Sequence, residues 1–235
     1  MSTPSPRAAI VLLAAGSGSR VGADRNKVLL TLGAVPVLAH SVRTALDVEG
    51  VHRVVVVVRP EDRQDVAEAL GPHLGTHDVW LVDGGAQRHD SEFRALTALR
   101  ADIESGEIDV VAIHDAARPL ASAALFRRVI GVAAERGAAV PGIPAGTLST
   151  ARGALAQEGL VAVQTPQAFS AATLLAAYGA AEQDGFTGTD TAACLERYAA
   201  TPVVRVDGER RNLKITFPED LRLAEELLAL RDRRD

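Results

Sequence analysis

Lysine is nearly absent from this 235-residue chain: Lys27 and Lys214 are the only two among 25 basic residues. Arginine supplies the rest, so a sequence that drifts this far toward guanidinium has kept a compact, flexible ammonium at two places. Both fall inside motifs. A single cysteine, Cys194, excludes an internal disulfide and fits a reducing compartment. Its setting, TAACLERYA, reads as a helix face with a buried, inert thiol. No apolar run approaches the ~20 residues that a membrane helix needs, and MSTPSPR lacks the charged region and apolar core of a signal peptide. The expectation is a cytoplasmic protein with no membrane partner. Nor is there a positive excess: the formal charge of −5 argues against a sequence-independent nucleic-acid surface. Local cations must then serve a local anion.

What is present is apolar material in plenty, 47% of residues, and an alternation of strand and helix signals compatible with one large α/β domain over residues 1–235. Strand one runs from about Ala8 to Leu13. Pro36 sits just inside the start of a helix carrying Val37, Leu38, Val42 and Leu46. VHRVVVVVRP is a central strand, followed by a short helix from Asp65 to Leu70, a strand from Val79 to Val82 and a helix through Phe93, Leu96 and Leu99. Val110–Ile113 and Ala138–Ile143 continue the strands, with a helix from Ser122 to about Arg136 between them. Later come a helix from Ala171 to about Glu182, a helix through Leu195 capped by Thr189 or Asp190, and a strand from Val203 to Val206. An edge element from Asn212 to Thr216 and a helix opened by Pro218 complete the chain. Such alternation predicts a mostly parallel sheet with ligands above the carboxyl ends of its strands, so the loops after the first and third strands should meet.

The stretch Ile10–Lys27, IVLLAAGSGSRVGADRNK, passes from a buried strand into a glycine loop flanked by Arg20 and Lys27. Glycines there let the backbone approach a ligand closely and turn successive N–H groups toward an anion. Neither common glycine fingerprint fits. Val21 stands where the dinucleotide motif needs its third glycine, and Lys27 lies five residues beyond Gly22, where a P-loop lysine follows its glycine directly. A longer triphosphate loop remains, with Ala14, Ala15, Gly16 and Gly18 as its candidate contacts. The bland alternative is a glycine turn at a sheet edge with two solvated cations.

Three further motifs carry chemistry. Gly84-Gly85-Ala86-Gln87-Arg88-His89-Asp90-Ser91 leads into a helix whose first N–H groups, with the Ser91 hydroxyl, suit a base or phosphate, though a plain glycine turn explains it equally well. His114-Asp115-Ala116-Ala117-Arg118-Pro119 ends a buried strand. Asp115 there is placed for a Mg²⁺ bridging phosphates, or alternatively for an internal pair with Arg118, and His114 reads as a hydrogen-bonding residue. Val161–Phe169, VAVQTPQAF, holds Thr165 extended before its proline. Last, NLKIT with PED carries Lys214, and Asn212 reads as a turn residue in preference to a weak metal ligand.

AAGxGxR with its following lysine resembles the sugar-phosphate nucleotidyltransferases, departing at Asn26, where those families usually have proline. GGxxRxxS, HDAARP, QTPQxF and NLKIT are similar, in order and over almost the whole chain, to the cytidylyltransferase family that acts on 2-C-methyl-D-erythritol 4-phosphate in non-mevalonate isoprenoid synthesis. The resemblance implies a Rossmann-like (GT-A type) α/β nucleotidyltransferase domain that takes CTP and a polyol phosphate with Mg²⁺. It implies Arg20, Lys27 and Lys214 as catalytic cations, with the nucleotide held by Ala14, Ala15, Gly16, Gly18, Gly84, Gly85, Ser91 and Asp115. Asp115 also serves as metal ligand. Acceptor contacts carried over are Arg118, Thr147, Thr165 and Gln157. Residues 144–162 correspond to a β-arm exchanged in a homodimer; the span looks shortened, and Gly146-Thr147-Leu148-Ser149 and Ala156-Gln157 replace the arm's usual lysine and arginine motifs. Two other readings stand beside this one: a cytidylyltransferase for another polyol phosphate such as ribitol 5-phosphate, and a nucleotide-binding regulatory module without turnover.

Overall fold

The computed structural model describes residues 6–16, 26–146, 159–188 and 190–232. Its strands are β1 Ala8–Leu13, β2 Thr31–Leu32, β3 Val35–Pro36, β4 Val51–Val58, β5 Trp80–Asp83, β6 Val110–Asp115, β7 Ala138–Pro144, β8 Val161–Val163, β9 Gln167–Ser170 and β10 Val204–Asp207. The helices are α1 Val37–Leu46, α2 Arg63–Leu74, α3 Arg88–Ala98, α4 Arg100–Glu104, α5 Ala123–Arg136, α6 Ala171–Asp184, α7 Thr191–Tyr198 and α8 Pro218–Asp232.

Seven strands lie in the order β10-β7-β9-β6-β1-β4-β5, with β8 pairing on β7. Parallel pairing joins β6, β1, β4 and β5, and again β7 and β10. Two strands are exceptions: β9 runs antiparallel to both β6 and β7, and β8 antiparallel to β7. Period-two alternation sends Ile10 and Leu12 of β1 into one core with Leu38, Val42 and Phe126, and Ala9 and Val11 into another with Leu96, Leu174 and Tyr178. Because both faces of β1 and of residues 54–58 in β4 are covered, these segments read as unbroken apolar runs. Each fully buried valine of β4 contributes about 1.5–3 kcal/mol of transfer free energy. A third, smaller cluster seats α8 through Ala224 against Leu32, Val37 and Ile215.

Several expectations shift by a few residues. Pro36 precedes α1 as its cap instead of lying inside it. The helix expected over Asp65–Leu70 runs from Arg63 to Leu74, carrying Pro72 inside it, and stops at Gly75, whose φ of +58° only glycine adopts without strain. Asp190 proves to be the cap of α7, its carboxylate accepting from Ala193 N–H; Thr189 lies outside the described residues. Asn212–Thr216 is not a strand. It is extended chain, pinned where Ile215 N–H donates to Ala117 O at 2.8 Å and where the buried Ile215 side chain fills the third cluster. Of the expected arm, the root is visible: Gly142–Pro144 pair antiparallel with Val161–Val163, and residues 147–158 lie outside the described residues.

Candidate active site

The strand ends are zipped together beyond the sheet proper. Ala14 N–H donates to Val57 O at 2.8 Å, Gly84 N–H to Val58 O at 2.7 Å and Ala116 N–H to Leu13 O at 3.1 Å. This draws the loops after β1, β5 and β6 to one edge, where they surround a cleft of about 590 Å³. A methyl group built on Gly84 would come within 2.8 Å of the Ala15 side chain, and one on Gly85 within 2.2 Å of Asp90. The loops after the first and third long strands therefore meet at a contact that only glycine permits.

Ala15, Gly16, Lys27, Gly84, Gly85, Ser91, Asp115 and Lys214, all expected from the sequence, line this cleft together. Gly18 and Arg20, and on the acceptor side Thr147 and Gln157, lie outside the described residues. Three expected contacts turn away from the lining. Ala14 is buried, its carbonyl taken by Asn26 Nδ2 at 2.8 Å. Thr165 faces inward: its hydroxyl accepts from Asp115 N–H at 3.0 Å and lies 3.0 Å from His114 Nδ1. Arg118 donates from Nη1 to Asn212 O at 2.8 Å, so it braces the segment that carries Lys214 instead of reaching for an acceptor. Ser91 lines the cleft, yet its hydroxyl already accepts from Gly85 N–H at 3.1 Å and donates to Gln87 O at 3.0 Å. That leaves backbone groups of the glycine loop, more than this hydroxyl, for a ligand.

Asp115 is the centre of the charge pattern. Arg88 Nη1 is 2.5 Å from Oδ1, Lys214 Nζ 2.8 Å from Oδ2 and Arg118 Nε 3.7 Å from Oδ2. Burial alone would raise the carboxyl's pKa; the charges of Arg88 and Lys214 outweigh it and hold Asp115 well below the usual carboxylate range. Arg88 has a second partner. Its Nε is 2.8 Å from Oε1 of Glu92, one turn further along α3, although that N–H does not point along the contact. Glu92 is almost completely buried and also accepts from the Tyr178 hydroxyl and, at 2.8 Å, from the Thr191 hydroxyl. Burial pushes Glu92 above its ordinary range while Arg88 and these hydroxyls pull the other way.

Behind Asp115, His114 is fully buried and spends both ring nitrogens. Nε2 lies 3.2 Å from Arg118 O, which can only accept, so the ring proton sits there and Nδ1 accepts from the Thr165 hydroxyl. Burial drives its pKa down to about 4. Neutral and fully engaged, His114 is a structural group, as its position suggested. Gln164 locks the neighbouring loop: its Oε1 accepts from Glu209 N–H at 3.0 Å and its Nε2 donates to Glu209 O at 2.8 Å. Asn212 is a buried turn residue, its amide donating to Thr165 O at 2.7 Å. Cys194, buried with its thiol pushed up to about 11, is inert.

A divalent cation suits this site only in a limited way. Among the described residues no three His, Cys, Asp or Glu side chains converge as a metal cage. Mg²⁺, however, commonly takes one carboxylate together with phosphate oxygens and waters. Ionised Asp115 keeps acceptor capacity, since a carboxylate offers roughly four lone-pair positions. The fit is to a metal that arrives with its phosphates.

Sequence reasoning gave no role to Arg88, Glu92, Gln164 or Arg59, which also lines the cleft. Arg88 and Glu92 stand four residues apart on a helix, a spacing that brings side chains together, and Arg88 is the arginine of the GGxxRxxS motif. Gln164 opens the QTPQxF motif, but its partner Glu209 lies 45 residues away, so its locking role had no local sign.

Comparison with known proteins agrees with this geometry. A family model described as 2-C-methyl-D-erythritol 4-phosphate cytidylyltransferase matches residues 8–230. The enzyme of that name from Acidobacterium capsulatum is 39% identical over 233 residues, 93% of this chain and 95% of that one. Its counterpart from Bacillus cytotoxicus is 34% identical over 230 residues, covering 95% and 99% respectively. The crystal structure of 4-diphosphocytidyl-2C-methyl-D-erythritol synthase from Anaerococcus prevotii superposes with a TM-score of 0.80 over 96% of this chain and 97% of that chain, at 25% identity. With the glycine loops, the aspartate at the end of β6 and the two lysines all brought to one cleft, the chain belongs to the 2-C-methyl-D-erythritol 4-phosphate cytidylyltransferases, a family of nucleotidyltransferases of the isoprenoid pathway.

Proposed function

We propose that the family's reaction takes place in this cleft: a phosphate oxygen of 2-C-methyl-D-erythritol 4-phosphate attacks the α-phosphorus of CTP, a new P–O bond forms, and the bond from the α-phosphorus to the bridging oxygen breaks to release pyrophosphate. The observation that carries this reading is the convergence of Arg88 and Lys214 on Asp115 beside two glycine loops. Catalysis here is positioning and charge stabilisation. Lys27, together with Arg20, balances charge on the triphosphate, and Lys214 orients the attacking phosphate. That nucleophile is already an anion, so no general base is required, in keeping with a His114 whose two nitrogens are committed. Gly84 and Gly85 let the main chain approach the nucleoside.

Mg²⁺ would be held by Asp115 and, when bound, would neutralise charge on the phosphates. Arg88 and Lys214 keep that carboxylate ionised and aimed. We further propose a cytoplasmic homodimer contacting through the arm rooted on β7 and β8. Among the described residues no helix is long and apolar enough to cross a membrane.

Because the arm lacks the usual lysine and arginine, an acceptor such as ribitol 5-phosphate is the second reading. Pyrophosphate release from CTP decides among them. Release on adding 2-C-methyl-D-erythritol 4-phosphate, and not ribitol 5-phosphate, is the expected result. The reverse preference would reassign the acceptor, and release with neither would leave a nucleotide-binding module.

A further inference from the structure

Asn26 stands immediately before Lys27, is 1% exposed, and spends its whole side chain on the protein. Nδ2 donates to Ala14 O and to Asp62 Oδ2, both at 2.8 Å, and Oδ1 accepts from Val28 N–H at 3.3 Å. Turning the amide over would set oxygen against two acceptors, so this orientation is fixed by its partners. Asp62 is 8% exposed and clasped by Arg59 through Nε at 2.6 Å and Nη2 at 2.8 Å. Burial works against the Asp62 charge, yet the hydrogen bonds from Arg59 and Asn26 keep its pKa below the ordinary value. One amide thus joins the end of β1, the 3₁₀ turn Pro60–Asp62 after β4 and the 3₁₀ turn Lys27–Leu29.

We infer that Asn26 and Asp62 are positioning residues: a latch that sets Lys27 at the wall of the cleft. This rests on the charge-stabilising role proposed for Lys27. Lysine has four rotatable carbons, so its ammonium is placed only as well as its backbone. Here the backbone is fixed by the buried Asn26 side chain, through one charge-assisted bond to Asp62 and neutral bonds to Ala14 O before Lys27 and from Val28 N–H after it. Asn26 sits at φ −56° and ψ 126°. Proline's ring would impose nearly that φ by covalent geometry, so the latch does with hydrogen bonds what a ring does with bonds. Misplacing a catalytic group by about 1 Å costs about 10²-fold in rate.

A double-mutant cycle on kcat with CTP and 2-C-methyl-D-erythritol 4-phosphate tests this. Asn26→Ala and Asp62→Ala are each expected to lower kcat about 10–100-fold, chiefly through kcat and not KM. In a Lys27→Ala background either change should cost less than about 3-fold, because the group it positions is gone. Asn26→Pro should recover most of the rate lost in Asn26→Ala. Additive losses in the Lys27→Ala background would overturn the latch, as would an Asn26→Pro variant as slow as Asn26→Ala. Should Lys27→Ala itself turn over normally, the reading of Lys27 fails first, and the failure is separately visible. Asp62→Ala keeps the question open to measurement if Asn26→Ala does not fold.

Discussion

Arg88, on the first turn of α3, reaches across the cleft floor to Asp115 at the end of β6, with Nη1 2.5 Å from Oδ1. The contact couples a helix on one face of the sheet to the strand end where the phosphates are expected. With Glu92 on its other side, Arg88 is shared by two buried carboxylates. Arg88→Leu leaves Glu92 without this cation and Asp115 with only Lys214 and Arg118, and removing one partner of a buried pair costs about 3–5 kcal/mol. Glu92→Gln, which keeps one acceptor oxygen and offers an NH2 group that the other hydroxyl can accept from, should cost much less. Chemical denaturation of the two variants ranks them, and the opposite ranking would show that the helix-to-strand bridge carries no stability.

Lys214 offers a sharper separation of binding from chemistry. Lys214→Ala is expected to raise the acceptor concentration needed and to lower turnover by ~10²-fold, while CTP binding without acceptor stays near wild type. Lys214→Arg should also be impaired, because a planar fork cannot place its charge where the ammonium lies, 2.8 Å from Asp115. Calorimetric CTP binding beside an acceptor titration checks both; full activity in either variant removes the corresponding argument.

Asp115→Asn tests the metal. Replacing the carboxylate by an amide removes the charge that Mg²⁺ would meet, so the Mg²⁺ midpoint of activity should move upward. An unchanged midpoint, with activity merely scaled down, would assign Asp115 to the organisation of Arg88 and Lys214 alone.

His114 predicts a pH dependence of stability whose sign is fixed. Its pKa falls from 6.5 to about 4 on folding, so between those values the unfolded chain binds the additional proton. Its contribution is complete above pH 6.5 and is lost as pH drops toward 4, with a slope of at most about 1.4 kcal/mol per pH unit. Denaturation midpoints measured from pH 7 to 4 should show this slope, and His114→Gln should flatten it. Turnover, by contrast, should carry no imidazole step, since His114 transfers no proton.

The sheet was legible because β1, residues 54–58 of β4 and residues 110–113 of β6 are covered on both faces and therefore read as bare apolar runs. The meeting of the Gly84 loop with the loop after β1 followed from the strand and helix alternation, whereas the place of Lys214 beside Asp115 was implied only by the family resemblance. What stayed hidden was decided by tertiary pairing. Thr165 and Arg118 carry groups suited to substrate, yet a carbonyl, an imidazole and a backbone amide reach them first. Asn26, noted in the sequence only as a departure from the proline usual in related families, is buried with every polar atom of its side chain engaged. Glu92 followed a serine on an amphipathic helix and had no local mark of burial; its partners Tyr178 and Thr191 lie 86 and 99 residues on.

The contact between Gly84 and Ala15 also bears on how such a cleft is able to change over generations. At 2.8 Å from where a Cβ would fall, the Ala15 methyl has no flexible end to swing aside, and both residues belong to segments tied to neighbouring strands. A single replacement at Gly84 must move two strand ends at once, so this wall is closed to stepwise drift. Variation in what the cleft accepts is channelled to exposed lining such as Glu61, whose side chain can be exchanged without moving the sheet, and away from Arg59, which is tied to Asp62.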